Sequence, residues 1–214
     1  MLNFMVNAEG GLTTAGYAIC IVLGIVVFGI ALFLPVIQKK INVRETACVL
    51  CMAMALAFIT SYIKIFSLPW GGSVTLCSML FIVLVANWYG VRTGIWLDLH
   101  MECSSFTGAI RTSLFQVCCD YVLAFAALGV AGFFAKQKNG LLKGYIVAVL
   151  ARGAFHALGG YLYWMDYMPD NFPKSLAAVY PIAYNYSFLL AEGLITIVII
   201  SIPAVQKALG RVKK

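Results

Sequence analysis

Charge is what this chain has least of. Only 11% of its 214 residues are Asp, Glu, Lys or Arg while 63% are hydrophobic, against about 25% charged in an ordinary soluble domain. That imbalance excludes a soluble fold. Catalytic signatures are missing as well: no GxSxG, no HExxH and no glycine-rich phosphate loop carrying a lysine occurs, so the chain cannot hydrolyse ATP by the usual P-loop route. Metal chemistry has no foundation either. Cys48 and Cys51 form a CxxC, but no second pair or His cluster completes a site. With Cys20, Cys77, Cys118 and Cys119 they sit in apolar runs, where cysteine behaves as a small hydrophobe.

What is present is apolar length. A bilayer-crossing helix needs about 20 mostly apolar residues, and such runs fill nearly the whole sequence, leaving no room for a soluble second domain. Breaks at charges, Gly and Pro predict seven helices near 14–37, 46–66, 74–90, 93–109, 114–135, 143–165 and 179–205, an all-α polytopic membrane protein. The fourth is interrupted by Asp98, His100 and Glu102, which lipid would not accept cheaply, so it is predicted to be short, tilted or buried against neighbours. The first has no basic segment ahead of it and Gln38-Lys39-Lys40 behind it, the pattern of a retained helix and not of a cleaved signal peptide.

The net charge of +7 would suit nucleic acid only if it lay on one soluble face. Instead it is split among short segments between apolar runs, which is a topology signal. Placing Lys39, Lys40 and Arg44 in the cytoplasm puts Arg92, Lys136, Lys138, Lys143, Lys207, Arg211, Lys213 and Lys214 on the same side, as the positive-inside rule expects. The N-terminus is then outside and the C-terminus inside.

On this topology polar residues collect near the outer ends of helices: Asp120 with Tyr121, Arg152 and His156 with Trp164, then Tyr180, Asn185 and Glu192. Arg152, His156 and Trp164 are spaced by four and eight, so they share roughly one helix face. Each residue has an ordinary explanation: an Asp120–Arg152 structural pair, an aromatic belt, a satisfied core histidine. Together they predict an outward cavity in which a carboxylate and flat aromatic faces would hold an organic cation, since cation–π contacts are worth roughly 0.5–2 kcal/mol each.

Four stretches carry a family likeness: Lys64-Ile-Phe-Ser-Leu-Pro-Trp-Gly-Gly-Ser-Val-Thr-Leu-Cys-Ser-Met-Leu80, Gln116-Val-Cys-Cys-Asp-Tyr-Val-Leu-Ala-Phe-Ala-Ala-Leu-Gly-Val-Ala-Gly132, Arg152-Gly-Ala-Phe-His156 leading to Gly160 and Trp164, and Tyr180-Pro-Ile-Ala-Tyr-Asn185 with Glu192. In that order and spacing the sequence resembles the thiamine-specific S-components, the substrate-binding membrane subunits of energy-coupling-factor (ECF) transporters.

The resemblance implies a six-helix membrane domain in a bacterial cell membrane, here with one extra N-terminal helix. It divides the chain into 1–43, an anchor and basic linker; 44–206, the binding domain; and 207–214, a basic cytoplasmic tail. The implied ligand is thiamine with no further cofactor, contacted by Asp120, Tyr121, Arg152, His156, Trp164, Tyr180, Asn185 and Trp70. Thiamine's thiazolium suits aromatic faces and a carboxylate, and its aminopyrimidine edge suits Tyr180 and Asn185. The implied partners are a transmembrane coupling subunit and two cytoplasmic ATPases, the coupling subunit meeting an AxxxA stripe read as Ala53 and Ala57. The segment from Trp96 to Thr112 departs from the family pattern, and Ser113 stands where proline is usual. A related vitamin or thiamine precursor is the alternative ligand. A proton-coupled secondary transporter with Asp98, His100, Glu102 and Asp120 as a relay is the alternative class.

Overall fold

Twenty residues without glycine or proline make Val43–Tyr62 a helix, α1, with Glu45 in its first turn, where the helix dipole favours an acid. This computed structural model describes residues 43–68, 72–105, 119 and 123–212, together with the isolated positions 13–15, 18, 22, 26 and 29. The predicted first helix, 14–37, therefore lies mostly outside the described residues.

α1 ends at Tyr62 and not at 66. The hydroxyls of Thr60 and Ser61 donate back to the carbonyls of Leu56 (2.6 Å) and Phe58 (2.7 Å), a local alternative to further helix. Lys64–Ser67 then forms strand β1, paired antiparallel with β2, Ser73–Thr75, in the register Lys64↔Thr75 and Ser67↔Ser73 with an irregularity between Lys64 and Phe66. A short apolar run reads the same as helix or strand by periodicity alone, so the sequence predicts one helix to 66 and the next from 74.

Helix α2 is Ser78–Tyr89, buried nearly throughout, and forms the centre of the fold. Gly90, at φ 99°, provides the left-handed turn that glycine adopts freely and leads into α3, Val91–Ser105. At 15 residues α3 is short of a full membrane span, and Asp98 is fully buried, with Ile95, Leu97 and Met101 nearly so. The side chains of His100 and Glu102 are outside the described set. After a short helix α4, Ala124–Ala126, the chain tightens into a 3₁₀ helix, Ala127–Phe134. Its Gly132 rests on the turn between α2 and α3, with the Val91 nitrogen and the Ala86 carbonyl too close to admit a side chain.

Helices α5, Gly140–Tyr163, and α6, Tyr180–Ser201, complete the wall. Arg44–Tyr62, Gly140–Tyr163 and Lys174–Ser201 are each long and apolar enough to cross a membrane, so the protein is a multi-pass membrane protein. α6 stops at Ile202, which is extended before Pro203 as residues preceding proline tend to be. Pro203–Val212 is a further helix, α7, with Lys207 and Arg211 opposite Val205 and Leu209. The division expected at 206/207 thus falls inside one helix.

The fold also relocates the stripe read on α1. Ala53 and Ala57 are 8% and 0% exposed. Ala53 packs with Val85 and Leu97, and Ala57 joins the main core with Met79, Leu80 and Val83. Small side chains on that face let α1 approach α2 closely, so they are spent inside the chain and do not form its outer surface. Exposed small residues on α1 are Ala47, Cys48, Cys51 and Ala55, of which Ala47, Cys51 and Ala55 are spaced four apart, flanked by Met52, Leu56 and Ile59.

Candidate functional site

α5 and α6 cross closely because α5 carries glycine at the contact. A Cβ on Gly160 would stand 2.9 Å from Asn185 Nδ2 and 3.0 Å from Pro181 Cβ. The Tyr186 hydroxyl adds a tie between the two helices by donating to the Leu150 carbonyl at 2.7 Å. This crossing sets Asn185 of α6 against Gly160 of α5 and brings His156 of α5 to Phe188 of α6; Arg152 lies one turn before His156 on α5, and Tyr180 opens α6.

Arg152, His156, Tyr180, Asn185 and Trp164 are all half-buried. Trp164 caps α5, its backbone N–H donating to the Gly160 carbonyl at 3.0 Å. Asn185 Nδ2 donates to the Pro181 carbonyl at 2.8 Å, which fixes the amide and leaves its oxygen as an acceptor for an amine. Asp120, Tyr121 and Trp70, the other expected contacts, lie outside the described residues.

A series of rings runs along α6 to α5, of which the sequence singles out only Tyr180 and His156. Phe172 lies 5.2 Å from Tyr180, Tyr180 5.9 Å from Tyr184, Tyr184 6.1 Å from Phe188, and Phe188 6.5 Å from His156, centroid to centroid. These separations are those of interacting aromatic pairs. The signal was available: Tyr180, Tyr184, Phe188 and Glu192 recur every four residues and so line one face of α6.

Glu192, grouped by sequence with the cavity residues, is employed elsewhere. It is 4% exposed, and its carboxylate accepts from the Thr75 backbone N–H (2.9 Å), the Thr75 hydroxyl (2.6 Å), the Ser78 hydroxyl (3.3 Å) and the Met79 N–H (3.4 Å). An anion at the first turn of α2 is favoured by the helix dipole and by donors that have no partner within the helix. Two turns earlier on α6, the Tyr184 hydroxyl accepts from the Gly72 N–H at 3.3 Å. The β1–β2 hairpin is therefore docked along α6 directly beside the rings.

Helices long and apolar enough to cross a membrane, two of which carry an imidazole, a guanidinium, an amide and aromatic rings at half-buried positions, set the class as a multi-pass helical membrane protein. The family profile of the thiamine transporter proteins (Thia_YuaJ) matches residues 47–210, and the chain belongs to that family: it is a transporter of the S-component type and not an enzyme. Among curated proteins it is similar to the thiamine transporter ThiT of Bacillus subtilis strain 168, with 25% identity over 184 residues covering 76% of this chain and 90% of the relative. Among solved structures its fold is similar to that of ThiT from Listeria monocytogenes, with a TM-score of 0.66 and 22% identity, covering 78% of this chain and 96% of that one.

Proposed function

We propose that the chain captures thiamine from outside the cell, between α5 and α6, and delivers it inward as the substrate-binding subunit of an ECF-type transporter. The N-terminus is outside and the C-terminus cytoplasmic in this reading. The observation that carries it is the continuous ring series ending on His156, on the pair of helices that also carries Arg152, Trp164 and Asn185 at half-buried positions. Rings of this kind hold a flat cationic heteroaromatic by stacking and cation–π attraction, and groups fixed in advance by the crossing of two helices lose little freedom on binding. Asp120 and Tyr121 would add charge complementarity and a hydroxyl, and Trp70 a further ring.

The test is intrinsic tryptophan fluorescence of the detergent-purified protein titrated with thiamine, with separate pyrimidine and thiazole fragments as controls. Saturable quenching by thiamine, with much weaker responses to either fragment, is the expected result. A stronger response to one fragment would assign the site to a precursor, and no response would remove the thiamine reading.

Energy for inward delivery would come from partners, a transmembrane coupling subunit and two cytoplasmic ATPases. The outer stripe of Ala47, Cys51 and Ala55 on α1 is where a partner helix could approach most closely. Ala55→Trp should leave thiamine binding intact and abolish co-purification with the coupling subunit. Ala57→Trp, by contrast, should unfold the protein, because it places an indole in a position with no exposed surface. Recovery of the full complex with Ala55→Trp would refute this interface.

A further inference from the structure

The β1–β2 hairpin is held to α6 at two points on one face. At the outer point Gly72 packs against Phe188 and Tyr184: a Cβ there would lie 2.8 Å from Phe188 Cδ1 and 3.1 Å from the Tyr184 hydroxyl. At the inner point Glu192 gathers the four donors of Thr75, Ser78 and Met79. Tyr184 and Glu192 are eight residues apart, about 12 Å along a helix. Gly72 to Thr75 spans three residues, about 10 Å of strand. The two lengths match, so the strand lies flat along α6 and cannot slide without losing one attachment.

The inner point is continuous with a second buried polar group. Thr196, one turn beyond Glu192, is fully buried and donates to the Glu192 carbonyl at 2.9 Å, and Cys77 and the Tyr145 hydroxyl of α5 both approach it. The outer point is continuous with the ligand side: Phe188 touches Gly72 on one side and meets the His156 ring edge-on on another. One aromatic ring thus contacts both the hairpin and a residue assigned to the ligand.

We propose that Phe188 and Glu192 are positioning residues that set how long the ligand stays bound, Glu192 by anchoring the hairpin and Phe188 by transmitting the hairpin's position to His156. This rests on the reading of the α5–α6 space as the thiamine site. Neither side chain needs to touch thiamine. The anchor fixes the strand, the strand fixes the Phe188 ring, and the ring fixes the imidazole. Loss of such preorganisation appears mainly in the dissociation rate.

The experiment follows thiamine dissociation by stopped-flow chase from the full-length purified protein, alongside trypsin cleavage at the exposed Lys64 of β1 in the ligand-free protein. Gly72→Ala should speed dissociation about tenfold with little change in association, and Glu192→Gln, which keeps the volume but brings an amide donor to a ring of donors, should do the same. Both should cleave faster at Lys64. Adding Phe188→Leu to Gly72→Ala should recover protection at Lys64, because the smaller side chain admits the new methyl, while dissociation stays about tenfold fast, because the ring that meets His156 is gone. Independent, additive effects of Gly72→Ala and Phe188→Leu would overturn the proposal. So would faster cleavage with an unchanged dissociation rate, since the hairpin would then move without consequence for the ligand. If the unaltered protein fails to bind thiamine at all, the functional reading falls, while the cleavage assay still reports whether Glu192 and Phe188 hold the hairpin.

Discussion

Trp164→Ala is expected to weaken thiamine binding by about 30-fold, the equivalent of roughly 2 kcal/mol, the upper part of the range for a desolvated cation–π contact. Trp164 stands at the end of α5, where its backbone caps the helix through Gly160. That bond belongs to the main chain and survives the substitution, so the fold should be unaffected and the loss should be one of affinity. Asp120→Asn is expected to cost a similar or larger factor, since hydrogen bonds to charged groups contribute about 1.5–3 kcal/mol and the amide keeps the shape while removing the charge. Isothermal titration on each purified variant, with a circular-dichroism melt as the folding control, decides the matter. Near wild-type affinity in either variant would remove that residue from the site.

The second large effect is on stability. Gly132→Ala should lower the melting temperature in detergent by about 10 °C, because overpacking that cannot relax costs about 3 kcal/mol and a domain of this size loses about 2–4 °C per kcal/mol. The new methyl would meet backbone on several sides: the Val91 nitrogen, the Ala86 carbonyl oxygen at 2.8 Å and the Gly90 carbonyl carbon at 2.8 Å. No side-chain rotation can relieve contacts with main-chain atoms. Gly210→Ala in α7 is the control. Nothing lies within 4 Å of its added methyl, and a helical glycine gains stability on becoming alanine, so its melting temperature should hold or rise slightly. Equal melting temperatures for the two variants would show that the α2–α3 turn is not packed against the 3₁₀ segment as described.

The membrane class, the helical architecture and the functional family were legible in the residues alone. Apolar length, sparse charge and the spacing of Arg152, His156, Trp164, Tyr180 and Asn185 carry that information along the chain, because helix length and helix face are one-dimensional properties. The turn at Gly90 is legible for the same reason, whereas the break before Pro203 falls inside the helix expected over 179–205. The hairpin did not. Ile65 and Phe66 are apolar and follow a long apolar helix, and only the partner strand Ser73–Thr75 makes them a strand.

The tertiary structure alone decided which face of each helix is occupied and by what. Ala53 and Ala57 carry the spacing expected of a docking stripe, but packing on α2 consumes them and leaves Ala47, Cys51 and Ala55 outside. Glu192 reads as one more polar residue near a ligand, yet it is the acceptor on which β2 and the first turn of α2 converge. Spacing in sequence states which residues share a face. Whether that face meets a ligand, a partner or the chain itself depends on which donors and surfaces, more than a hundred residues away in the case of Thr75 and Glu192, the fold brings against it.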